Sequence, residues 1–186
     1  MKNILFILTF FLLFSIVGCG KKSDNTDQTS SNNKNSFSWK DDLKISDIPE
    51  FPVKGYINGE EISFSYINFE KWRGTNDNVI NFSTAKPEQP CGFIENFKGF
   101  QLMNKGSAIT GEIIKGKFDE DTKTYTAFFK FTSSDGSPVK SASSWNCALK
   151  IDNNTDKLVS GRIALCFNDD KKSWIAGKFE AAICNN

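Results

Sequence analysis

From residue 53 to the C-terminus, apolar and polar side chains alternate with a period of two, interrupted by turn residues at short intervals. Asn58-Gly59 separates 53–57 from 61–69, and Asn-Gly between alternating segments is the strongest short-range hairpin signal. The second arm puts Ile62, Phe64 and Tyr66 on one side. A short strand is predicted over 78–83, followed by a loop through Pro87 and Pro90, with further strands over 99–103 and 112–118 and a turn at 119–122. The segment 125–132 places Phe129 and Phe131 on one face and Phe128 on the other, before a turn at Asp135-Gly136.

The last three arms carry the clearest pattern. Trp145, Cys147, Leu149 and Ile151 alternate with Asn146, Ala148 and Lys150; Val159, Ile163, Leu165 and Phe167 alternate with Ser160, Arg162 and Ala164; Ile175, Phe179 and Ile183 alternate with Lys178 and Glu180. No helical periodicity longer than two turns follows Cys19. The pattern predicts an all-β domain over 49–186, a single antiparallel β-sandwich or open barrel of about eight or nine strands. The chain has 18 phenylalanines, and the fourteen that follow residue 18 supply bulk for one core.

The N-terminus follows a different rule. Lys2 precedes a run over 4–17 that is apolar apart from Thr9 and Ser15, the length of a secretory signal and shorter than the roughly 20 residues that span a bilayer. The run ends in Ile16-Val17-Gly18-Cys19, which resembles the lipobox of bacterial lipoproteins. The resemblance implies a diacylglyceryl group, with its palmitate-type chains, on the Cys19 thiol, and cleavage between Gly18 and Cys19. Each buried methylene contributes about 0.8 kcal/mol, so the two or three acyl chains of such an anchor suffice for stable attachment. Gly20 stands where an inner-membrane retention signal would often have Asp, which by the same resemblance favours the outer membrane, with the domain periplasmic or surface-exposed. The ending, Ser160 to Leu165 and Ile175 to Cys184, also resembles the closing hairpin of small uncharacterised lipoproteins of diderm bacteria; that likeness supports the architecture and carries no activity. From Gly20 to about Lys44 the chain is rich in Ser, Asn, Asp, Lys and Thr, too polar to offset its ordering entropy. The predicted organisation is therefore a signal peptide (1–18), a lipidated flexible tether (19–48) and the β domain (49–186). Phe37 and Trp39 interrupt the polarity and read as sticky points on the tether, or as side chains docking on the domain edge.

Charge removes one class of function. Beyond residue 18 the 22 acidic side chains are matched by as many basic ones, since only Lys2 is lost, and no basic stripe marks a nucleic-acid surface. The chain has no histidine, which excludes Ser-His-Asp and Cys-His catalysis and any zinc site needing an imidazole. Besides Cys19 there are four cysteines, Cys91, Cys147, Cys166 and Cys184, and an even number in an exported domain predicts two disulfides, buried free thiols being the alternative. In a plain hairpin Cys166 lies near the turn and Cys184 at the far end, too distant to bridge, so the pairing stays open.

Candidate chemistry is sparse. Asp119-Glu120-Asp121 and Asp152 to Asp156 are acidic loops; the second begins like an EF-hand but has Lys157 in place of the glycine and Ile163 in place of the closing Glu, so both read as solvated turns and no metal is expected. Glu60, Glu61, Glu88, Glu95 and Glu112 offer carboxylates for a glycosidase-type pair. Lys140 lies in a Ser/Thr-rich run, 132–144, without the Ser-X-X-Lys spacing of β-lactamase-like enzymes. Lys71-Trp72-Arg73 is the predicted recognition patch, because Trp and Arg are enriched in binding hot spots and the group ends a strand; a Trp capping the core is the competing reading. The expectation is a non-enzymatic, cofactor-free lipoprotein that binds a protein or glycan in the envelope or serves a structural role there. An envelope glycan hydrolase with a carboxylate pair and a carrier of a small apolar ligand are the alternatives.

Overall fold

The structure, a computed structural model, describes residues 36–72, 74–94 and 97–185. They form eleven strands: β1 (Lys54–Ile57), β2 (Glu60–Ser63), β3 (Tyr66–Lys71), β4 (Asn78–Ser83), β5 (Gly99–Asn104), β6 (Ile113–Lys115), β7 (Tyr125–Thr132), β8 (Pro138–Ser141), β9 (Trp145–Asn154), β10 (Leu158–Phe167) and β11 (Trp174–Asn185). Nine follow one path, β6-β9-β10-β11-β3-β4-β5-β7-β8, and the sheet curls into a half-barrel. The expectation of an all-β sandwich or open barrel of about eight or nine strands is borne out, but the sheet is mixed rather than antiparallel throughout, because β11 and β3 run parallel.

The β11 strand explains how the sheet closes this far. One edge pairs antiparallel with β10 along its length, while the other edge is shared. β1 takes the first part, Trp174 to Ala176, antiparallel, and β3 takes the last part, Ala182 to Asn185, parallel. The chain reaches both places through the β1–β2 hairpin, whose turn residues Asn58 and Gly59 both have positive φ (53° and 84°), the geometry that Asn-Gly adopts readily. Between the two pairings, Pro52 bridges Lys178, and a Cβ at Gly177 (φ 131°) would lie 2.7 Å from the backbone of Phe51 and Val53. Only glycine allows the chain to cross there.

Alternation sorts side chains onto the two sheet faces as predicted. Ile80, Phe82, Phe100, Leu102, Phe129, Trp145, Cys147, Leu149, Ile163, Leu165, Phe167, Ile175 and Phe179 fill the barrel interior. Edge-to-face pairs such as Phe82–Phe179 (5.4 Å) and Phe129–Phe167 (5.0 Å) lock the rings.

The opposite face of β9–β11 presents Ala148, Ala164, Cys166, Trp174 and Ala176, and a second apolar cluster forms there with Leu43 and Ile48. This corrects the domain boundary at residue 49. Residues 36–48 pack on the sheet as part of the same unit, so the packed region includes residues placed before 49. The Trp39 indole N–H donates to the Phe167 carbonyl (2.7 Å), Leu43 N–H donates to Gly116 O (2.9 Å), and the Phe37 ring lies 5.0 Å from that of Trp174. Small residues on the outer face of β9–β11 are what let the arm approach: Ala148, Ala164 and Ala176 leave room for Leu43 and Ile48.

Two further differences are local. The 61–69 run splits into β2 and β3, and β8 forms inside the Ser-rich segment, where Pro138 and the absence of apolar alternation conceal it.

Candidate functional site

In β3, β4, β5 and β7, the side chains between the core residues point away from the barrel interior, and on them the sequence places Asn68, Glu70, Asn81, Ser83, Gln101, Phe128 and Lys130. Cross-strand register arranges these into rows. Asn68 sits opposite Asn81, Asn81 opposite Gln101, and Gln101 opposite Phe128. The next row carries Ser83, Gly99, Lys130 and, on β8, Lys140. Asn68, Asn81 and Ser83 are buried despite lying outside the core.

They are buried because the β4–β5 connection folds over them. Its base is closed by Thr84, whose N–H and hydroxyl both donate to Lys98 O at 2.9 Å. Its middle is pinned by a disulfide between Cys91 and Cys184 of β11, with Cα atoms 5.4 Å apart. Tyr66 reinforces the pin: its hydroxyl accepts from Cys91 N–H (3.1 Å) and donates toward Cys184 Sγ (3.6 Å). These contacts hold Cys91 in the left-handed region, φ 63°, a conformation that disfavours a non-glycine residue by about 1–3 kcal/mol.

The result is a cleft of about 390 Å³ between this connection and the sheet, within the range of small-ligand sites. The sheet contributes its amides, Glu70, Phe128 and the two lysines; the roof contributes Gly92, Phe93, Ile94 and Phe97; Trp72, in the β3–β4 loop, stands at one end. Phe93 is 86% exposed at the mouth.

The polar groups are oriented by one another. Glu70 accepts from Asn68 Nδ2 (2.6 Å) through one carboxylate oxygen and from the Trp72 indole N–H (2.9 Å) through the other. Gln101 Nε2 donates to Asn81 Oδ1, which leaves Asn81 Nδ2 and Gln101 Oε1 with no hydrogen-bond partner among the described residues. At the other end, the Lys140 ammonium lies 3.6 Å from the Phe128 ring centroid, and that of Lys130 lies 4.6 Å from Phe97 and 5.7 Å from Phe128. Burial, and then the neighbouring Lys140 charge, hold Lys130 below the usual lysine pKa.

The sequence-predicted residues are distributed unevenly. Trp72 lies in the cleft and belongs to neither apolar cluster, which sets aside the core-capping reading; Lys71 is exposed at the end of β3. Arg73, Gly18 and Cys19 lie outside the described residues, as does Glu95.

The expectation of two disulfides is corrected to one. Cys147 and Cys166 are buried free thiols. They occupy neighbouring strands, but Cys147 points into the barrel and Cys166 toward the N-terminal arm, so no bridge can join them. Burial pushes both thiols up in pKa, that of Cys166 to about 12.

The acidic groups do not converge. Glu60 pairs with Lys98, Glu61 with Lys54 (3.1 Å) and Asp152 with Arg162 (3.4 Å), while Glu120 accepts from Gly116 N–H (2.7 Å). Glu88 lines a shallower hollow beside the roof, and Glu112 is exposed before β6. Among the described residues no three His, Cys, Asp or Glu side chains gather as a metal site.

Sequence reasoning missed Asn68, Glu70, Asn81, Gln101, Phe128, Lys130 and Lys140 as a group. The available signal was the single row Asn68, Asn81, Gln101 and Phe128, an amide or aromatic residue at one outward position of four successive paired strands. Comparison with protein-family models, with curated proteins and with solved structures finds no match to this chain.

Proposed function

We propose that this chain is a lipoprotein of the bacterial envelope, anchored through lipid on Cys19, whose β domain is a non-catalytic binding module for a saccharide in the cleft over β3–β8. The observation that carries the binding role is the row Asn68–Asn81–Gln101, two of its amides buried and the third half-buried beneath a covalently pinned roof, with the Trp72 indole in the same cleft. Amides paired to one another with one donor and one acceptor left over suit hydroxyl groups, which both donate and accept. Aromatic side chains at the two ends, Trp72 and Phe128, offer faces for the apolar side of a sugar ring.

Binding is favoured over hydrolysis by the state of Glu70. Both of its oxygens are engaged by Asn68 and Trp72, and no second carboxylate among the described residues lines the cleft with it. A glycosidase needs two, roughly 5–10 Å apart. The interior packed with phenylalanine rings weighs against the apolar-carrier reading, which needs an empty barrel.

Two experiments test this reading. Palmitate labelling and membrane fractionation should both be lost or altered on Cys19→Ser; an unchanged pattern contradicts the anchor. A glycan array probed with the full chain in detergent micelles should give signals that disappear in Trp72→Ala and Asn81→Ala; signals unaffected by both changes place the binding elsewhere.

A further inference from the structure

Lys130 and Lys140 are direct cross-strand partners on β7 and β8, so their side chains leave the sheet on the same side. Like charges directly opposite one another are destabilising in a sheet. Nothing compensates them among the described residues: every ion pair the structure forms there involves other lysines or Arg162. Their ammonium groups converge instead over Phe128, with Phe97 of the roof covering Lys130. One lysine over Phe128 would satisfy that ring. The second adds repulsion and partial burial, an arrangement that an anion lying between the two would relieve.

This pair stands at one end of the same cleft, with Glu70 at the other. The lysine row is two residues along the strands from the amide row, about 7 Å, and the amide row from β3 to β7 crosses three strand spacings, about 14 Å. A ligand that uses both rows is therefore extended, with its hydroxyls over Asn81 and Gln101 and a negative group reaching Lys130 and Lys140.

We infer that the cleft selects an acidic oligosaccharide, whose carboxylate is held between Lys130 and Lys140 while its hydroxyls meet Asn81 and Gln101. The inference rests on the saccharide-binding reading above and specifies the ligand's charge.

The test uses matched probes, trigalacturonate and its fully methyl-esterified form, which share a backbone and differ in charge, titrated into the full chain in detergent micelles. Trigalacturonate is expected to bind at least tenfold more tightly than the ester, and added salt should weaken it. Lys140→Gln and Lys130→Gln should each remove most of that preference, and Lys140→Arg should retain it, with unchanged melting temperatures excluding misfolding. Equal binding of acid and ester that is lost in Asn81→Ala overturns the charge inference and leaves the saccharide reading standing. Binding of neither probe, together with no cleft-dependent signal from any neutral or acidic glycan on the array, overturns both. A heparin-derived tetrasaccharide binding in preference to trigalacturonate would reassign the anion from carboxylate to sulfate and overturn the carboxylate assignment.

Discussion

The half-barrel has two covered regions outside its core, and they are covered in opposite ways. Over β9–β11 the arm 36–48 presses Leu43, Ile48, Phe37 and Trp39 onto alanines, Cys166 and Trp174. Over β3–β8 residues 92–94 and 97 of the β4–β5 connection lie across amides, lysines and a carboxylate, and leave a cleft. The arm is held by apolar burial, with hydrogen bonds such as that of Trp39 satisfying the polar atoms it covers. The roof is held by a covalent bond and by Tyr66, with little apolar contact beneath it. A cover that stays in place by excluding water cannot also leave space for a ligand. Pinning the roof through Cys91–Cys184 removes that conflict, and the difference is what supports reading one covering as structural and the other as the proposed site.

The comparison is broken most severely on the sealed side. Leu43→Ala should lower unfolding free energy by about 2–5 kcal/mol, the usual cost of emptying a fully buried leucine site, as read by urea denaturation. Saccharide binding should survive it. Loss of binding with retained stability would reverse the roles assigned to the two covers.

Next in size is the roof. Cys91→Ser together with Cys184→Ser opens a bond closing 93 residues, which should lower stability by about 2–4 kcal/mol. Unlike the arm variant, it should also weaken cleft binding, because Cys91 loses the restraint on its left-handed backbone.

The free thiols sharpen the comparison through pH. Burial raises Cys147 and Cys166 above their ordinary value of 9.0, so the folded state keeps protons that the unfolded state gives up. Their contribution is fully present below about pH 9 and declines as pH rises toward 12, at up to about 1.4 kcal/mol per pH unit for each thiol. Thermal melts at pH 8 and pH 10 should show the fall, and the double variant Cys147→Ala with Cys166→Ala should flatten it. Native alkylation should leave both thiols unmodified.

The smallest expected change in stability accompanies the largest change in binding. Gln101→Ala removes one half-buried side-chain hydrogen bond, worth about 1 kcal/mol, yet should abolish saccharide binding.

Period-two alternation made the architecture legible. Trp145, Cys147 and Leu149 on β9, and Ile163, Leu165 and Phe167 on β10, face the core as their spacing requires. The same rule separates Phe128 from Phe129. Alternation is silent on what covers the other face. Asn81 and Gln101 are twenty positions apart and become neighbours only through the register of β4 and β5, which the intervening loop length does not set. Cys91 lies in a loop with no period, so nothing in its spacing points to Cys184. The arm is legible only in part: Phe37 and Trp39 stand out from polar surroundings as docking points, but Leu43 and Ile48 share no regular spacing with them. Trp72 was found because a Trp ending a strand is informative by itself, whereas Asn68 and Glu70 two strand positions earlier look like ordinary solvent-facing residues.

The most direct test of the two-cover account is the NMR response of side-chain amide groups in the full chain, in detergent micelles, on adding trigalacturonate. The account predicts that the Asn68, Asn81 and Gln101 amides shift together, while Asn146, which donates to Lys40 and Gly116 carbonyls beneath the arm, stays fixed. Shifts at Asn146 and its neighbours with none at Asn81 and Gln101 would contradict it.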